Sequence, residues 1–350
     1  MRALIIRGHG ELSMLEHADH PKPQIAKDSE VSIAIRAAAL NHLDLHTLRG
    51  LPGLALDFPH ILGGDGAGVV DAVGSAVTSV QPGDRVMFNP GISCYACEQC
   101  LGGEQSLCVR YRLLGEHLPG TLAEYVVVPG ANVVVIPELP PSQPEISWGE
   151  AAAFSLATLT AWRMVMTRAR LMPGETVLIW GIGGGVATAA LGIAKLAGAR
   201  AIVTSSSDRK LAAARELGAD VTLNHEVVDV SHEVRKLTNK RGVDVVVENP
   251  GEATWEQSLR SLSKMGRLVT CGGTTGPMVT TDVRRLFWNQ YTIMGSTMGN
   301  ATEYRRIVGL LAQGRLRPHI DQEFPFENAT DAFRRLERGE QLGKIVVRVR

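Results

Sequence analysis

Cysteine residues in the N-terminal half of the chain have the spacing of a metal site. They follow the pattern Cys94-x2-Cys97-x2-Cys100-x7-Cys108. Thiolates this close together suit a tetrahedral Zn²⁺ better than disulfides in a reducing compartment. Unliganded thiols and an iron–sulfur cluster are the alternatives. Because four protein thiolates leave no position for water or substrate, we expect one purely structural zinc per chain.

A glycine-rich segment is the second place where residue types suggest chemistry. The apolar run Val177–Trp180 is followed by Gly181-Ile182-Gly183-Gly184-Gly185-Val186-Ala187 and then by a helical pattern. Backbone amides at a helix N-terminus bind pyrophosphate, and glycine lets the chain approach it closely. A merely flexible turn is the alternative. Since the glycines lie between a strand and a helix, we predict a dinucleotide site. Its turn residues are Gly181, Gly183, Gly184, Gly185 and Val186.

The next predicted strand ends in hydroxyl and basic residues. An NAD-type site would have a carboxylate there, against the ribose 2′-hydroxyl, but Ser205 and Ser206 stand at this point. Small hydroxyls with Arg209 and Lys210 close behind can donate to a 2′-phosphate. The residues therefore favour NADP(H). The alternative is a solvated helix start with Asp208 as its N-cap.

Two kinds of periodicity surround these motifs. Alternating apolar runs such as Val31–Ala37 and Ala67–Val73 predict a β-rich first domain. From Glu175 to about Gly295, strands alternate with helical segments, which predicts an α/β fold with a parallel, doubly wound sheet. The strand candidates are Thr176–Trp180, Ala201–Thr204, Asp244–Glu248 and Arg267–Cys271. We expect domains at 1–152 and 153–295, with residues 296–350 returning to the first domain.

Composition excludes several classes of partner. The 350 residues are 45% hydrophobic, and 36 basic side chains balance 36 acidic ones. No overall charge therefore favours nucleic acid or a membrane surface, and we expect a small-molecule substrate. The uncharged run Val177–Ala194 is interrupted by glycines and is better explained by a strand, a turn and a helix than by a membrane span. Without a secretory signal pattern at Met1–Gly10, we expect a cytoplasmic protein.

Together these features resemble the medium-chain dehydrogenase/reductase superfamily over essentially the whole chain. The resemblance implies a GroES-like catalytic domain with a zinc lobe near residues 91–110, followed by a Rossmann nucleotide-binding domain. The segment Asn41-His42-Leu43-Asp44-Leu45-His46 is similar to the one that supplies the first catalytic cysteine of zinc alcohol dehydrogenases. Gly63-Gly64-Asp65 is similar to the segment that supplies their His-Glu pair.

The departures from that pattern concern the catalytic metal. Asn41 stands in the place of the first cysteine, Gly64 in that of the histidine and Leu156 in that of the second cysteine. These side chains cannot hold Zn²⁺ against water. What remains resembles the quinone oxidoreductase and enoyl reductase branch, which works without catalytic zinc and whose glycine turn reads Gly181-x-x-Gly184-x-x-Ala187 here.

The resemblance also implies catalytic roles. Asn41 is the leading donor to a substrate oxygen or to the nicotinamide ribose, and Asp44 orients neighbouring groups. His46 matches a proton-relay histidine whose hydroxyl partner is replaced by Leu43, and Thr160 matches a residue near the nicotinamide. Each has a structural alternative: a helix N-cap for Asn41, a surface helix face for Asp44 and His46, and an ordinary helix residue for Thr160.

On the cofactor side, Lys210 matches the lysine that binds the 2′-phosphate, and His225 stands where a tyrosine often assists. Asn249 and Gly272 complete the predicted cofactor contacts. The implied function is NADPH-dependent reduction of a quinone or an α,β-unsaturated carbonyl. The alternatives are alcohol/carbonyl interconversion with an unusual metal at Asp44 and Asp65, and a non-catalytic nucleotide-binding protein. A homodimer or homotetramer is expected from the resemblance.

Overall fold

A computed structural model describes residues 1–350. The chain forms two compact units, one made of Met1–Leu159 and Met298–Arg350 and the other of Thr160–Thr297. The expected divisions were after residues 152 and 295. The first division lies later because one continuous helix, Trp148–Trp162, runs past the expected position. No helix has both the length and the apolar character needed to cross a bilayer.

The N-terminal part of the first unit is rich in strands, as the alternating apolar runs predict. Its elements are β1 (Arg2–Ile6), β2 (Glu16–Asp19), β3 (Glu30–Ala39), α1 (His42–Arg49), β4 (His60–Ile61), β5 (Asp65–Val73), β6 (Arg85–Phe88), β7 (Gly91–Ile92), α2 (Glu98–Leu101), β8 (Arg112–Leu113), β9 (Tyr125–Pro129), β10 (Val133–Val135) and α3 (Trp148–Trp162). A π-helical turn, Arg163–Arg168, follows α3.

The second unit alternates strands and helices. Its elements are β11 (Thr176–Ile179), α4 (Gly185–Leu196), β12 (Arg200–Ser205), α5 (Asp208–Glu216), β13 (Val221–Asn224), α6 (Val230–Leu237), β14 (Val243–Glu248), α7 (Trp255–Ser261), β15 (Leu262–Thr270), α8 (Val283–Trp288) and β16 (Thr292–Gly295). They form a six-stranded parallel sheet in the order β13-β12-β11-β14-β15-β16. This is the doubly wound sheet predicted from the alternation.

Burial explains why the central strands of this sheet read as apolar runs. Every residue of β11 and of β14 is buried, as expected where helices cover both faces of a parallel sheet. The last predicted strand is longer than expected, since β15 begins at Leu262 and not at Arg267. Its pairing with β14 is irregular at Val243–Val245, and this irregularity broke the apolar pattern on which the prediction depended.

The C-terminal stretch returns to the first unit through α9 (Ala301–Ala312), β17 (Ile320–Pro325), α10 (Ala329–Glu337) and β18 (Lys344–Arg348). β18 pairs antiparallel with β3, and β3 pairs antiparallel with β5. Their registers put Val346 opposite Ala39 and Ala39 opposite Asp65. The ends of β3, β5 and β18, which are far apart in sequence, therefore meet at Ala39, two residues before Asn41.

Candidate active site and metal centre

The cysteine lobe brings its four sulfur atoms together. The Sγ atoms of Cys94, Cys97, Cys100 and Cys108 all lie within 4.8 Å of one another. Cys97 is the N-cap residue of α2 and Cys100 lies within that helix, so one short element positions two of the ligands. Backbone N–H groups donate to the sulfurs, for example Cys97 N to Cys94 Sγ at 3.3 Å and Arg110 N to Cys108 Sγ at 3.3 Å. Such donors stabilise thiolates.

The charge state of these thiols agrees with metal binding. Hydrogen bonds from backbone N–H groups, that of Ala96 foremost, lower the pKa of Cys94 to about 5. Burial acts in the opposite direction at Cys100 and raises the pKa of that thiol to about 12. A Zn²⁺ ion would deprotonate all four. Four converging thiolates with no fifth ligand form a closed, structural zinc site, as predicted from the spacing.

A second polar cluster surrounds Asn41, which precedes α1 as its N-cap residue. The amide oxygen of Asn41 accepts a hydrogen bond from Lys344 Nζ at 2.5 Å. Its Nδ2 donates to Asp65 Oδ2 at 3.0 Å, and Lys344 Nζ also lies 2.9 Å from that oxygen. The side chain of Asp65 is fully buried and that of Lys344 is 4% exposed. We refer to these three residues as the Asn41–Asp65–Lys344 cluster.

Asp44 contacts this cluster through the backbone of Asn41. Its Oδ2 accepts from Asn41 N at 2.7 Å and its Oδ1 accepts from Gly63 N at 3.0 Å. The carboxylate therefore ties the first turn of α1 to the glycine loop before β5. Burial raises the pKa of Asp44 to about 6, and the backbone donor Asn41 and the charge of Lys344 oppose that rise. These two hydrogen bonds are the contacts through which Asp44 would orient its neighbours, as the sequence predicts.

The positions of the other two catalytic ligands of zinc alcohol dehydrogenases are filled by packing. Gly64 is buried, and a Cβ atom added there would lie 3.0 Å from Leu156 Cδ1 and 3.3 Å from Leu114 O. Leu156 is 8% exposed, and its backbone N–H donates to Asp65 Oδ1 at 2.8 Å. A side chain at position 64 would require Leu156 to shift by a few tenths of an ångström, because Leu156 packs directly against this glycine.

A divalent metal does not fit the Asn41–Asp65–Lys344 cluster. The cysteine lobe is the one place in the chain where three or more Cys, His, Asp or Glu ligand atoms converge. At the cluster, the oxygens of Asn41 and Asp65 already face the Lys344 ammonium and two N–H donors. An amide, one carboxylate and a nearby ammonium do not make the ligand set that Zn²⁺ requires.

Sequence reasoning missed Lys344, Ser155 and Tyr304. Ser155 Oγ and Tyr304 Oη lie 2.9 Å apart in the buried interior, and burial, with a smaller effect from the charge of Asp65, raises the pKa of Tyr304. Lys344 is separated from Asp65 by 279 residues, so no local spacing could connect them. The signal available was indirect: a lysine opening the last apolar run, in a segment expected to rejoin the first domain.

The two remaining predicted catalytic residues, His46 and Thr160, lie on helices α1 and α3. His46 is half-buried on α1, two residues beyond Asp44, and burial lowers its pKa. Its predicted partner position, Leu43, offers no hydroxyl. Thr160 is buried near the end of α3 and belongs to the second unit. The structure therefore brings Asn41 and Asp44 together and leaves the roles of His46 and Thr160 as predictions.

The glycine turn has the predicted form. It leaves β11 at Gly181, whose φ of 67° is a left-handed conformation that favours glycine. Gly184 is the N-cap of α4, and Gly185 and Val186 are its first residues. Gly184 N donates to Gly181 O at 3.1 Å, which closes the turn around Gly183. The helix N-terminus thus presents its free backbone N–H groups beyond the strand end, as a pyrophosphate site requires.

The predicted phosphate-binding residues lie at the ends of β12 and β13. Ser205 Oγ accepts from Ser207 N at 3.1 Å, and Ser206 is exposed. Ser207, and not Asp208, is the N-cap of α5, because its hydroxyl accepts from Lys210 N. Lys210 itself is 9% exposed. The alternative with Asp208 as the N-cap is therefore wrong: α5 already includes Asp208 as its first residue.

His225 is packed into the same edge of the sheet. Its Nδ1 lies 3.3 Å from Thr204 Oγ1, and that hydroxyl accepts from Gly181 N at 3.3 Å. Its ring lies 6.0 Å from the ring of Trp180, centroid to centroid. Burial lowers the pKa of His225. Through Thr204 Oγ1, the imidazole links the glycine turn to the end of β12.

Asn249 and Gly272 follow the ends of the next two strands. A Cβ atom added at Gly272 would lie 3.1 Å from Asn249 O, so the two loops approach closely. Cys271 Sγ donates to Asn249 Oδ1 at 3.1 Å, and burial raises the pKa of this thiol to about 12. Cys271 follows β15 and does not end it. The predicted cofactor residues all lie at the carboxyl edge of one parallel sheet, where such sheets bind ligands.

Comparison with known proteins defines the class to which this fold and zinc site belong. Residues 27–138 match the alcohol dehydrogenase GroES-like domain, and residues 185–313 match the zinc-binding dehydrogenase family. A zinc-type alcohol dehydrogenase-like protein of Schizosaccharomyces pombe is 32% identical, over 97% of this chain and 98% of that one. The chain belongs to the zinc-type alcohol dehydrogenase family of the medium-chain dehydrogenase/reductase superfamily, and it is an oxidoreductase.

Two further relatives have different activities in their names. A crystal structure of an NAD-dependent alcohol dehydrogenase is 42% identical, covers 100% of both chains and superposes with a TM-score of 0.92. A crotonyl-CoA carboxylase/reductase of Cereibacter sphaeroides is 29% identical, over 95% of this chain and 83% of that one. The family, the GroES-like domain and the Rossmann-type sheet were predicted correctly. These names give no support to the quinone oxidoreductase branch without catalytic zinc, and that assignment stays a prediction.

Proposed function

We propose that the protein transfers hydride from NADPH to a conjugated carbonyl, an α,β-unsaturated ketone or thioester or a quinone, with no metal at the substrate. The observation that carries the proposal is the filling of the three ligand positions. Asn41 is bonded to Lys344 and Asp65, and Leu156 packs against Gly64. The name of the crotonyl-CoA carboxylase/reductase supports a conjugated thioester as one substrate class.

The chemistry fits a site that offers dipoles and no Lewis acid. Hydride adds to the β-carbon of the conjugated system, and the electron pair moves to the carbonyl oxygen. Because that charge is delocalised, hydrogen-bond donors suffice to stabilise it. Asn41 Nδ2 is the donor: one of its hydrogens bonds Asp65 Oδ2 at 3.0 Å, and the other makes only a long contact with Ala39 O at 3.5 Å, which a substrate oxygen would replace. A proton then completes the reduced product.

For the cofactor we propose NADP(H), bound by the glycine turn and by Ser205, Ser206, Lys210 and His225. The end of β12 carries hydroxyl side chains and no acid that would repel a 2′-phosphate. Asp208 follows three residues after Ser205, and its Oδ1 accepts from Asn224 Nδ2 at 2.8 Å. The names of several relatives favour NAD, so the preference has to be measured.

Replacing Lys210 tests the cofactor proposal. Lys210→Ala is expected to weaken NADPH binding by about tenfold to a hundredfold, the usual worth of a charge-assisted phosphate contact, and to leave NADH binding within about twofold. Arg215→Ala, in the exposed last turn of α5, is the matched control. Dissociation constants come from quenching of tryptophan fluorescence. Equal losses for NADPH and NADH would reject the role of Lys210.

A second candidate is alcohol/carbonyl interconversion, which the names of the relatives favour. This reaction with a metal at Asp44 and Asp65 would require the ion to replace the hydrogen bonds that both carboxylates already accept. Asp44 accepts from two backbone N–H groups, and Asp65 accepts from Leu156 N, Asn41 and Lys344. The geometry therefore supports this candidate less well.

One screen separates these candidates. The absorbance of NADPH is followed with 2-cyclohexenone, crotonyl-CoA and 1,4-benzoquinone, and that of NADP⁺ and NAD⁺ with primary and secondary alcohols. Turnover of the conjugated acceptors before and after dialysis against a chelator supports metal-free reduction. Turnover of alcohols that disappears with a second metal ion supports the second candidate. A protein that binds NADPH and turns over nothing is a nucleotide-binding protein without catalysis.

We also propose a homodimer, or a homotetramer built from it, in a reducing cytoplasmic compartment. β16 is an edge strand of the six-stranded sheet, and α8 beside it in sequence exposes large apolar side chains. Met278, Val283, Phe287 and Trp288 are exposed by 81%, 64%, 62% and 77%. Exposed apolar groups of this size favour association. Light scattering tests it: Phe287→Glu/Trp288→Glu is expected to give a monomer, and an unchanged mass would reject this surface.

A further inference from the structure

Lys344, the first residue of the last strand β18, is a buried lysine to which no function has yet been assigned. The side chain of Lys344 is 4% exposed, and its Nζ contacts Asn41 Oδ1 and Asp65 Oδ2. A buried ammonium destabilises a fold unless it is paired, and an apolar pair of equal volume often serves stability as well. The presence of this cation is therefore not explained by stability alone.

The charges around Asn41 allow only one orientation of its amide. In the observed orientation Oδ1 faces the ammonium of Lys344, and Nδ2 faces the carboxylate of Asp65. Rotating the amide by half a turn would put the NH2 group against the ammonium and the oxygen against the carboxylate. Both contacts would then be repulsive, so the pair of charges determines which edge of Asn41 carries the donors.

The cation also strengthens that donor. A hydrogen bond from an ammonium to an amide oxygen polarises the amide, which makes its N–H groups better donors in a site of low dielectric constant. Asp65 keeps the cluster close to neutral, and Leu156 N satisfies its other oxygen at 2.8 Å. The strand registers bring these groups together, because Asp65 opens β5 and Lys344 opens β18 on the two sides of β3.

We infer that Lys344 is a positioning residue for hydride transfer: its ammonium fixes and polarises the Asn41 amide so that a Nδ2 hydrogen is presented to the substrate oxygen. This inference rests on the proposed function. The inference goes beyond the proposed function because it names Lys344, near the C-terminus, as the residue that orients the Asn41 donor. Lys344 itself need not contact the substrate.

The kinetic test uses a charge-neutral replacement. Lys344→Met alone leaves Asp65 buried and unpaired and could fail to fold, so the test variant is Lys344→Met/Asp65→Asn. Lys344→Arg keeps the charge, and Arg348→Met, on the exposed end of β18, is the control. We measure kcat and KM for 2-cyclohexenone, the isotope effect with 4-deuterated NADPH, the NADPH dissociation constant and the urea midpoint.

The expected result is a kcat lower by about tenfold or more in the double variant, the usual loss when an oxyanion donor is misplaced. The isotope effect on kcat rises because hydride transfer becomes slower than the other steps. NADPH affinity stays within about twofold, Lys344→Arg restores most of the rate, and the control behaves as wild type. A double variant that folds and keeps the wild-type kcat and isotope effect overturns the inference.

A second measurement separates this inference from the proposed function. In protein labelled with ¹⁵N at asparagine, the Asn41 side-chain hydrogens of the wild type should exchange slowly with water and have distinct shifts. Both features should be lost in the double variant and kept in Lys344→Arg. If the wild type reduces no conjugated carbonyl, the proposed function fails, and this spectrum still decides whether Lys344 fixes Asn41. Identical Asn41 signals in all variants overturn the inference.

Discussion

Two polar clusters in the first unit are built on different principles. The cysteine lobe gathers four like ligands whose sulfurs lie within 4.8 Å of one another and which need an added cation. The Asn41–Asp65–Lys344 cluster contains its own cation, and its donors and acceptors satisfy one another. The two regions therefore differ in where the positive charge comes from: an added metal ion in the cysteine lobe, and the ammonium of Lys344 in the other cluster.

The largest effect is expected from breaking the cysteine lobe. In Cys97→Ser the closed ligand set loses one thiolate, and because the binding energy of a structural zinc is folding energy, we expect a loss of about 5 kcal/mol or more in the free energy of unfolding. Zinc should fall from near one per chain to near zero. Urea unfolding and elemental analysis measure both. A stable, zinc-replete variant would contradict the structural role.

Asp65→Ala tests the other cluster. It leaves the Lys344 ammonium buried without a partner, and we expect a loss of about 3–5 kcal/mol in the free energy of unfolding with zinc content unchanged. Asp71→Ala is the matched control. Asp71 pairs with Lys22 on the surface at 2.7 Å, and such pairs contribute about 1 kcal/mol or less. Similar losses in the two variants would mean that the Asp65 pair is not buried as described.

The pH dependence of stability should report on Asp44. Burial raises its pKa from 3.8 to about 6, so the folded protein binds this proton more tightly than the unfolded chain does. The stabilisation is present below pH 4 and is lost as the pH rises through 6, up to about 3 kcal/mol in all. In Asp44→Asn, the free energy of unfolding is expected to lack this part of its pH dependence. The stability gap between wild type and variant should therefore narrow from pH 4 to pH 6.5; a gap independent of pH would contradict the raised pKa.

The two clusters also differ in how far the sequence could predict them. The cysteine ligands lie on one short segment, so their spacing was sufficient. The glycine turn was predicted for the same reason, since Gly181 and Gly184 are adjacent to the strand and the helix that position them. Asn41 and Asp44 were selected by resemblance, and their mutual contact follows from being three residues apart at the start of α1.

What could not be predicted depends on strand pairing over long distances. Lys344 reaches Asn41 and Asp65 only because β18 pairs with β3, a pairing that no local pattern specifies. The order of the parallel strands in the second unit was open for the same reason. The start of β15 was misplaced because its first residues, Leu262–Gly266, include an irregular register and a residue with positive φ, Met265.

The measurement that tests the account most directly is zinc content together with activity in wild type and Cys97→Ser. We predict near one zinc per chain in the wild type and near zero in the variant, with any remaining enone reduction by the folded variant independent of chelators. Near two zinc ions per chain in the wild type would contradict the central claim. The contradiction would be complete if one ion stayed in Cys97→Ser and its removal abolished turnover.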